Sequence, residues 1–188
     1  PIAFFSLEMN NVQLVNRLIS NVCEIPGNKM LNGQLSPDEW ERLDKNVRLL
    51  QGAPLYIDDT PGLSIFELRT KARRLVREKG VKIIMLDYLQ LMNANGMRFG
   101  SRQEEVSKIS QSLKGLAKEL DIPILALSQL NRSVESRDNS NGVDGKRPQL
   151  SDLRESGAIE QDADMVLFVH RPVYYHILTD DKGNDLRG

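Results

Sequence analysis

The sequence predicts an α/β domain built on a mostly parallel β-sheet with helices packed on its faces. Short apolar runs alternate with amphipathic stretches along the chain. These runs are almost continuously apolar, which is typical of strands buried in a helix-covered parallel sheet. The chain has 188 residues, of which 40% are hydrophobic and 27% charged, as expected for one soluble α/β domain.

Five apolar runs are the candidate strands of this sheet. We predict strands, in chain order, at residues 2–7, 55–57, 81–86, 122–127 and 165–169. Their continuous apolar character predicts that both faces of the sheet are buried. Because the intervening stretches have helical periodicity, the connections are expected to be helical crossovers between parallel strands.

Four helices begin at recognisable capping signals. Each candidate capping residue has an Asn or Ser side chain and is followed three residues later by Gln or Glu. The pattern predicts helices over 12–22, from 37 onwards, from 65 to about 79 and from 102 to about 120. Gly80 is placed to end the third of these in a left-handed conformation. The capping residues are Asn10, Ser36, Ser64 and Ser101.

Composition excludes several classes of function. Lys+Arg number 25 and Asp+Glu 26, a net charge of -1, so nucleic-acid binding would need a local basic patch. Cys23 is the single cysteine, which excludes an intramolecular disulfide, and with only His170 and His176 no zinc cluster of the Cys/His type is possible. No apolar run approaches the roughly 20 residues that cross a bilayer, and there is no signal peptide. We expect a soluble, cytoplasmic protein with no membrane partner.

Polar residues follow three of the predicted strands. Glu8 follows the first, Asp87 ends the third and Gln129 follows the fourth. In open parallel sheets, ligands bind beyond the carboxyl ends of the strands. A carboxylate there can support Mg²⁺ beside a nucleotide, a second can orient or deprotonate an attacking water, and an amide can hydrogen-bond a terminal phosphate. Each residue taken alone is more typical of a surface loop, and only their shared position favours nucleotide chemistry.

The phosphate-binding loop that would complete such a site is absent from these 188 residues. No Gly-x-x-x-x-Gly-Lys-Ser/Thr segment occurs. Residues 142–148 are superficially similar, but their glycines are too close together and Arg147 stands where the Mg²⁺-binding hydroxyl belongs. They lie in a polar stretch, residues 131–149, that we expect to form a long loop. A second polar stretch, residues 150–164, has a glycine that allows close approach to phosphates, although without further context a solvated loop and short helix is the favoured interpretation.

Five motifs together resemble a known family, the bacterial replicative hexameric DNA helicases of the DnaB family. They are FFSLEM (4–9), IDDTPG (57–62), LDYLQL (86–91), ALSQL (126–130) and SDLRESGAIEQDAD (151–164). The resemblance covers essentially the whole chain and keeps the motif order. It implies a RecA-like motor domain, incomplete at both ends. It also implies an ATP hydrolase that couples hydrolysis to translocation on single-stranded DNA and to duplex unwinding at the replication fork.

The resemblance assigns nucleotide chemistry to the three strand-end residues. Glu8 matches the catalytic glutamate that activates the water attacking the γ-phosphate of ATP. Asp87 matches the Walker B aspartate that supports Mg²⁺, and Gln129 matches the glutamine that senses the γ-phosphate and links it to the DNA loops. ATP and Mg²⁺ are therefore the expected substrate and cofactor.

The resemblance also implies contacts with DNA and with other proteins. Arg154, Glu155 and Gly157 match the loop that faces the central channel of the ring and follows single-stranded DNA. Residues 93–102 resemble the other channel loop, with Arg102 as a contact. Self-association into a hexamer, a primase and a helicase loader are the implied partners. A ring needs basic groups only along its inner wall, so a net charge of -1 is compatible with DNA binding.

The family's Walker A segment would precede Pro1, and its arginine finger would follow Gly188. We therefore expect residues 1–188 to be a partial motor domain that alone does not hydrolyse ATP appreciably. Two other interpretations remain open. One is a RecA/RadA-like recombinase or another RecA-fold ATPase, against which residues 152–164 and 89–91 favour a helicase. The other is an assembly module that has lost its nucleotide loop, which retention of all three strand-end residues disfavours.

Overall fold

A computed structural model of the chain describes residues 1–137, 146–179 and 182–186, and for residues 154–157 it describes the backbone but not the side chains. The strands in these residues are β1 (Ile2–Ser6), β2 (Leu55–Asp58), β3 (Ile83–Asp87) and β4 (Ile124–Ala126). They form one sheet in the order β2-β1-β3-β4, and every neighbouring pair is parallel. The predicted α/β fold class, with a parallel sheet, is confirmed.

Helices connect the strands. They are α1 (Asn11–Cys23), α2 (Gly27–Asn32), α3 (Pro37–Gln51), α4 (Ile65–Lys79), α5 (Arg102–Leu120), α6 (Ser133–Ser136) and α7 (Gly157–Asp162). Short 3₁₀ segments occur at Leu89–Leu91, Leu150–Ser156 and Pro172–Tyr175. Across the described ranges, no helix has both the length and the apolar character needed to cross a membrane.

All four predicted helix starts are confirmed. Asn10, Ser36 and Ser64 each form a complete capping box with the residue three positions later. Ser101 accepts a hydrogen bond from the Glu104 backbone N–H at 3.2 Å. The Glu104 carboxylate does not complete this box, since it accepts the N–H of Gly100 instead, at 2.8 Å. These local bonds satisfy N–H groups that would otherwise lack partners in the first turn.

Helices α4 and α5 cover one face of the sheet and form the main core with it. On the sheet side, Ala3 and Phe5 of β1 and Ile84 and Leu86 of β3 are fully buried. Their alternation along each strand follows from the two-residue repeat of β structure. The helix side chains that pack on them are buried at Ile65, Leu68, Ala72, Val106, Ile109, Leu113 and Leu116.

The prediction that both faces of the sheet are buried is wrong for the described residues. On β3 and β4, the outward side chains of Ile83 and Leu125 are 37% and 45% exposed. The predicted fifth strand, residues 165–169, is also wrong: the segment is not part of the sheet, and Val169 is 95% exposed. An apolar run becomes a strand only when another backbone pairs with it, and within the described ranges none pairs with this segment.

The predicted long loop, residues 131–149, is interrupted by a short helix, α6. Residues 138–145, which include most of the rejected phosphate-loop segment at 142–148, lie outside the described residues.

Candidate functional site

The carboxyl ends of β1 and β3 place Glu8 and Asp87 at neighbouring positions on one edge of the sheet. The register pairs Ser6 with Asp87, and the Leu7 N–H donates to the Asp87 carbonyl at 2.7 Å. Beyond β1, the buried Ser6 hydroxyl donates to the Met9 carbonyl at 2.7 Å and turns the chain toward α1. Glu8 in this turn is exposed, whereas Asp87 is half-buried.

Gln129 lies beyond the carboxyl end of β4, the strand next to β3 in the sheet. Backbone pairing between β3 and β4 continues past the strand ends, because the Leu127 N–H donates to Leu86 and the Leu89 N–H donates to Leu127, both at 2.9 Å. Gln129 follows two residues later and is exposed. The three predicted nucleotide residues therefore lie at or just beyond the carboxyl ends of three neighbouring strands of the sheet, β1, β3 and β4.

The side chain of Gln90 forms a two-point clamp on the backbone of Gln129. The Gln129 N–H donates to Oε1 of Gln90 at 3.2 Å, and Nε2 of Gln90 donates to the Gln129 carbonyl at 3.1 Å. The same Nε2 also donates to the Ser128 hydroxyl at 2.9 Å. Sequence reasoning missed Gln90 as an individual site residue, because its partners are 38 and 39 residues away in the chain.

Arg102 fixes the turn that carries Gln90. Its Nη2 donates to the carbonyls of Gln90 and Met92 at 2.6 and 2.8 Å. Its Nη1 forms an ion pair with Glu105, whose other carboxylate oxygen accepts the Ala94 N–H at 2.8 Å. The Ala94 hydrogen bond, together with Arg102, lowers the pKa of Glu105 against the opposing effect of burial. The Arg102 side chain as a whole remains 47% exposed.

A cavity of about 380 Å³ joins this region to the start of the polar stretch at 150–164. Gln90, Arg102 and Gln129 line one part of it, and Asn131 and Asp152 line another. The Asn131 N–H donates to the Asp152 carbonyl at 3.0 Å. The chain that leaves β4 is therefore bonded directly to the segment that contains the second group of predicted site residues.

Asp152 is a buried carboxylate that has two hydrogen-bonding partners for its side chain among the described residues. It forms an ion pair with Arg137, with side-chain exposures of 2% for Asp152 and 28% for Arg137. Its Oδ2 accepts the Gln149 N–H at 2.7 Å. Asp152 therefore links two described parts of the chain, Arg137 before residues 138–145 and Gln149 after them.

The predicted DNA residues Arg154, Glu155 and Gly157 lie just beyond Asp152. The backbone there forms the 3₁₀ segment Leu150–Ser156 and then α7, which packs against α5. The side chains of residues 154–157 lie outside what the structure describes. The structure therefore places this stretch next to the cavity, and the contacts of Arg154 and Glu155 stay predictions.

The chemistry of the carboxylates fits Mg²⁺ held partly by a substrate. Among the described residues there is no group of three or more His, Cys, Asp or Glu side chains that could hold a metal ion. Mg²⁺ is commonly bound by one or two carboxylates together with waters and substrate phosphates. Asp87, a single half-buried carboxylate at a strand end, suits that kind of site rather than an all-protein cage.

Residues 1–186 match the model of the DnaB-like helicase C terminal domain. The chain is 46% identical over 181 residues to the replicative DNA helicase DnaB of Geobacillus stearothermophilus, covering 96% of this chain and 38% of that protein. It is 51% identical over 168 residues to the replicative DNA helicase DnaB of Mycobacterium leprae, covering 89% and 27% respectively. The chain thus spans well under half the length of these relatives.

Solved structures have the same fold. One of them, an ATPase domain, superimposes with a TM-score of 0.84 at 37% identity, over 97% of this chain and 62% of that one. A DnaB-like replicative helicase, studied with its interactions with primase, gives a TM-score of 0.85 at 36% identity, over 99% and 42%. The predicted RecA-like character of the sheet is confirmed by these structural neighbours.

Proposed function

This chain belongs to the family of DnaB-like helicase C-terminal domains, and on that premise we propose that it is part of the ATP-driven motor of a replicative DNA helicase. In the proposed activity, ATP hydrolysis drives translocation on single-stranded DNA and separates the duplex at the replication fork. One observation carries the proposal: Glu8, Asp87 and Gln129 lie at or just beyond the carboxyl ends of three neighbouring parallel strands.

In the proposed mechanism, the three residues divide the work of phosphoryl transfer to water. Glu8, exposed at the end of β1, orients the attacking water and accepts its proton. The Gln129 side chain donates a hydrogen bond to the γ-phosphate. Asp87 supports Mg²⁺, which when bound neutralises charge on the phosphate oxygens. The exposure of Glu8 and the partial burial of Asp87 support this division, since water must reach the first and a bound ion benefits from a fixed ligand.

DNA binding is proposed for two segments that meet near the cavity. One contains Arg154, Glu155 and Gly157, and the other is residues 93–102. Contacts to the phosphate backbone position a protein on nucleic acid without reading its sequence, as a translocating motor requires. Arg102 contributes its positive charge at a side chain that is 47% exposed, while its Nη2 donors hold the base of the second segment.

The proposed assembly is a hexameric ring that acts in the cytoplasm. The solved DnaB-like helicase that matches this chain was studied with its interactions with primase, which supports a primase as a partner of the whole protein. A helicase loader is proposed from the family resemblance alone.

Of the two alternative interpretations, the recombinase is disfavoured because the family model and the named relatives are replicative helicases. A non-catalytic assembly module remains an outcome of the experiment below.

The test is Glu8→Gln in the full-length protein that contains this chain. The amide keeps the shape of the side chain but cannot accept a proton, so we expect kcat for ATP hydrolysis to fall by about 100-fold or more. Unwinding of a forked DNA substrate is expected to fall with it, while ATP binding is retained. Glu41→Gln, at an exposed glutamate on α3, is the matched control and should behave as wild type. Wild-type hydrolysis by Glu8→Gln would refute the proposed role, and a parent protein that never hydrolyses ATP would support the assembly module.

A further inference from the structure

We propose that Gln90 is a positioning residue that holds Gln129 in the orientation from which it reaches the terminal phosphate. This inference rests on the proposed function of Gln129. Gln90 does not itself contact the nucleotide in this proposal. It acts through the backbone of the residue that does.

The clamp on Gln129 supplies the hydrogen bonds that a neighbouring strand would otherwise provide. Strand β4 ends at Ala126. The last backbone hydrogen bond between the chain after β4 and the chain after β3 runs from the Leu89 N–H to the Leu127 carbonyl. Gln129 is exposed and lies beyond that point. The Gln90 amide accepts its N–H and donates to its carbonyl, at 3.2 and 3.1 Å. Both backbone groups of Gln129 are thereby held, which restricts the direction in which its side chain leaves the chain.

Gln90 can hold Gln129 in place because the backbone of Gln90 is itself held by another residue. Arg102 donates to the Gln90 carbonyl at 2.6 Å and to the Met92 carbonyl at 2.8 Å. Arg102 is held in turn by Glu105, which also accepts the Ala94 N–H. A charged donor on a carbonyl gives a stronger hydrogen bond than a neutral one. The contacts therefore form a continuous connection from Gln129 to the base of residues 93–102, the segment proposed to bind DNA.

A purely structural role for Gln90 gives a different experimental signature. If the amide only stabilised the turn at Leu89–Leu91, its loss would lower stability or assembly and leave the turnover of assembled protein unchanged. A positioning role instead lowers kcat while the KM for ATP stays nearly constant, because the affected hydrogen bond forms at the reacting phosphate. Separate measurement of kcat and KM for the assembled protein therefore distinguishes the two roles.

Two substitutions in the full-length protein test the proposal. Gln90→Met keeps the side-chain length and removes all three hydrogen bonds, and we expect kcat for ATP hydrolysis to fall by about 10-fold or more with KM within about twofold. Gln90→Glu keeps the acceptor but sets a carboxylate oxygen against the Gln129 carbonyl, so a similar fall is expected. Gln111→Met is the matched control, because Gln111 is an exposed α5 residue whose Oε1 accepts only from Lys108 Nζ, at 3.0 Å, among the hydrogen bonds described.

A double-substitution cycle then shows whether Gln90 acts through Gln129. If it does, Gln90→Met lowers kcat no further in a Gln129→Ala background. Multiplicative losses, unchanged kcat in both Gln90 variants, or failure of both to assemble would each overturn the proposal. If Gln129→Ala lowers kcat and the Gln90 variants do not, only the clamp is wrong. If Gln129→Ala has wild-type turnover, the proposed role of Gln129 fails, and the clamp fails with it.

Discussion

Removal of the Arg137 guanidinium is expected to leave a buried charge without its main partner. In Arg137→Met, the Asp152 carboxylate, 2% exposed in its side chain, keeps only the Gln149 N–H of its described side-chain partners. Breaking a buried ion pair from one side costs about 3–5 kcal/mol. Since Arg137 is 28% exposed, water can partly replace it, and we expect a loss near the lower limit, about 3 kcal/mol.

Removing the Asp152 carboxylate instead of the Arg137 guanidinium should destabilise the protein less. In Asp152→Ala, the Arg137 guanidinium stays at a partly exposed position where water can solvate it, and the main loss is the acceptor for the Gln149 N–H. Gln149 is itself an exposed residue, so water can partly replace the lost acceptor, and the cost should lie near the lower limit of about 1–3 kcal/mol for an unsatisfied donor. We therefore expect Arg137→Met to be more destabilising than Asp152→Ala. The double variant Arg137→Met/Asp152→Leu should be less destabilised than Arg137→Met alone, because no charge is then left buried.

The exposed pair between Arg48 and Asp44 is the matched control. Its Nη2–Oδ2 distance is 2.7 Å, but the side chains are 73% and 70% exposed. Arg48→Met should cost no more than about 0.5 kcal/mol. Free energies of unfolding come from urea titrations, and hydrogen exchange of the Asn131 and Gln149 amides reports on the Asp152 contacts directly. Equal effects of Arg137→Met and Arg48→Met would refute the argument that burial of Asp152 sets the cost.

Two further predictions concern the sheet and its packing. Leu68→Ala in the fully buried core should destabilise the protein by about 3–4 kcal/mol. The control Leu49→Ala, at a side chain 69% exposed, should change the free energy of unfolding by less than about 0.5 kcal/mol. Similar values for the two variants in urea titrations would contradict the described core. Burial opposes ionisation of Asp58, but hydrogen bonds from Lys71 and Thr60 outweigh it and lower its pKa. The pKa of Asp58 is lower in the folded than in the unfolded protein. The interaction with Lys71 therefore stabilises the fold fully above the ordinary aspartate pKa of about 3.9, and this stabilisation is lost as the pH falls through the pKa of Asp58 in the folded protein. Lys71→Met should therefore reduce the acid sensitivity of unfolding in that range, and an unchanged pH profile would count against the shift.

Local signals in the sequence predict the helices well, because a capping box is complete within four residues. Ser36 and Ser64 show this directly. Helix α2 carries no such signal, since its N-terminal flanking residue is Pro26 and no side chain caps it, and the sequence does not predict it. The apolar run at 165–169 is wrongly predicted as a strand because composition reports burial tendency, whereas strand formation depends on a partner far away in the chain.

The candidate site, like the fold, can be predicted from the sequence only in part. Glu8, Asp87 and Gln129 can be predicted as a group because the carboxyl ends of parallel strands share one edge. Sequence alone does not give the strand order β2-β1-β3-β4, which makes the three neighbours. The clamp from Gln90 depends on partners 38 and 39 residues away, and nothing in its local sequence indicates them. Arg102 is predicted as a DNA contact, and its internal bonds to two carbonyls are visible only in three dimensions.

The strand order also determines when the sheet can form during protein synthesis. Strand β1 lies between β2 and β3, so both of its neighbours follow it in the chain. About 80 residues separate the ends of β1 and β3, which at about 5–20 residues per second corresponds to a delay of about 4–16 seconds. Throughout that interval the apolar Ile2–Ser6 segment has no second neighbour to pair with. Unpaired apolar strands of nascent chains promote aggregation, so slower translation or a chaperone deficit should reduce the yield of this protein more than that of one whose strands pair in sequence.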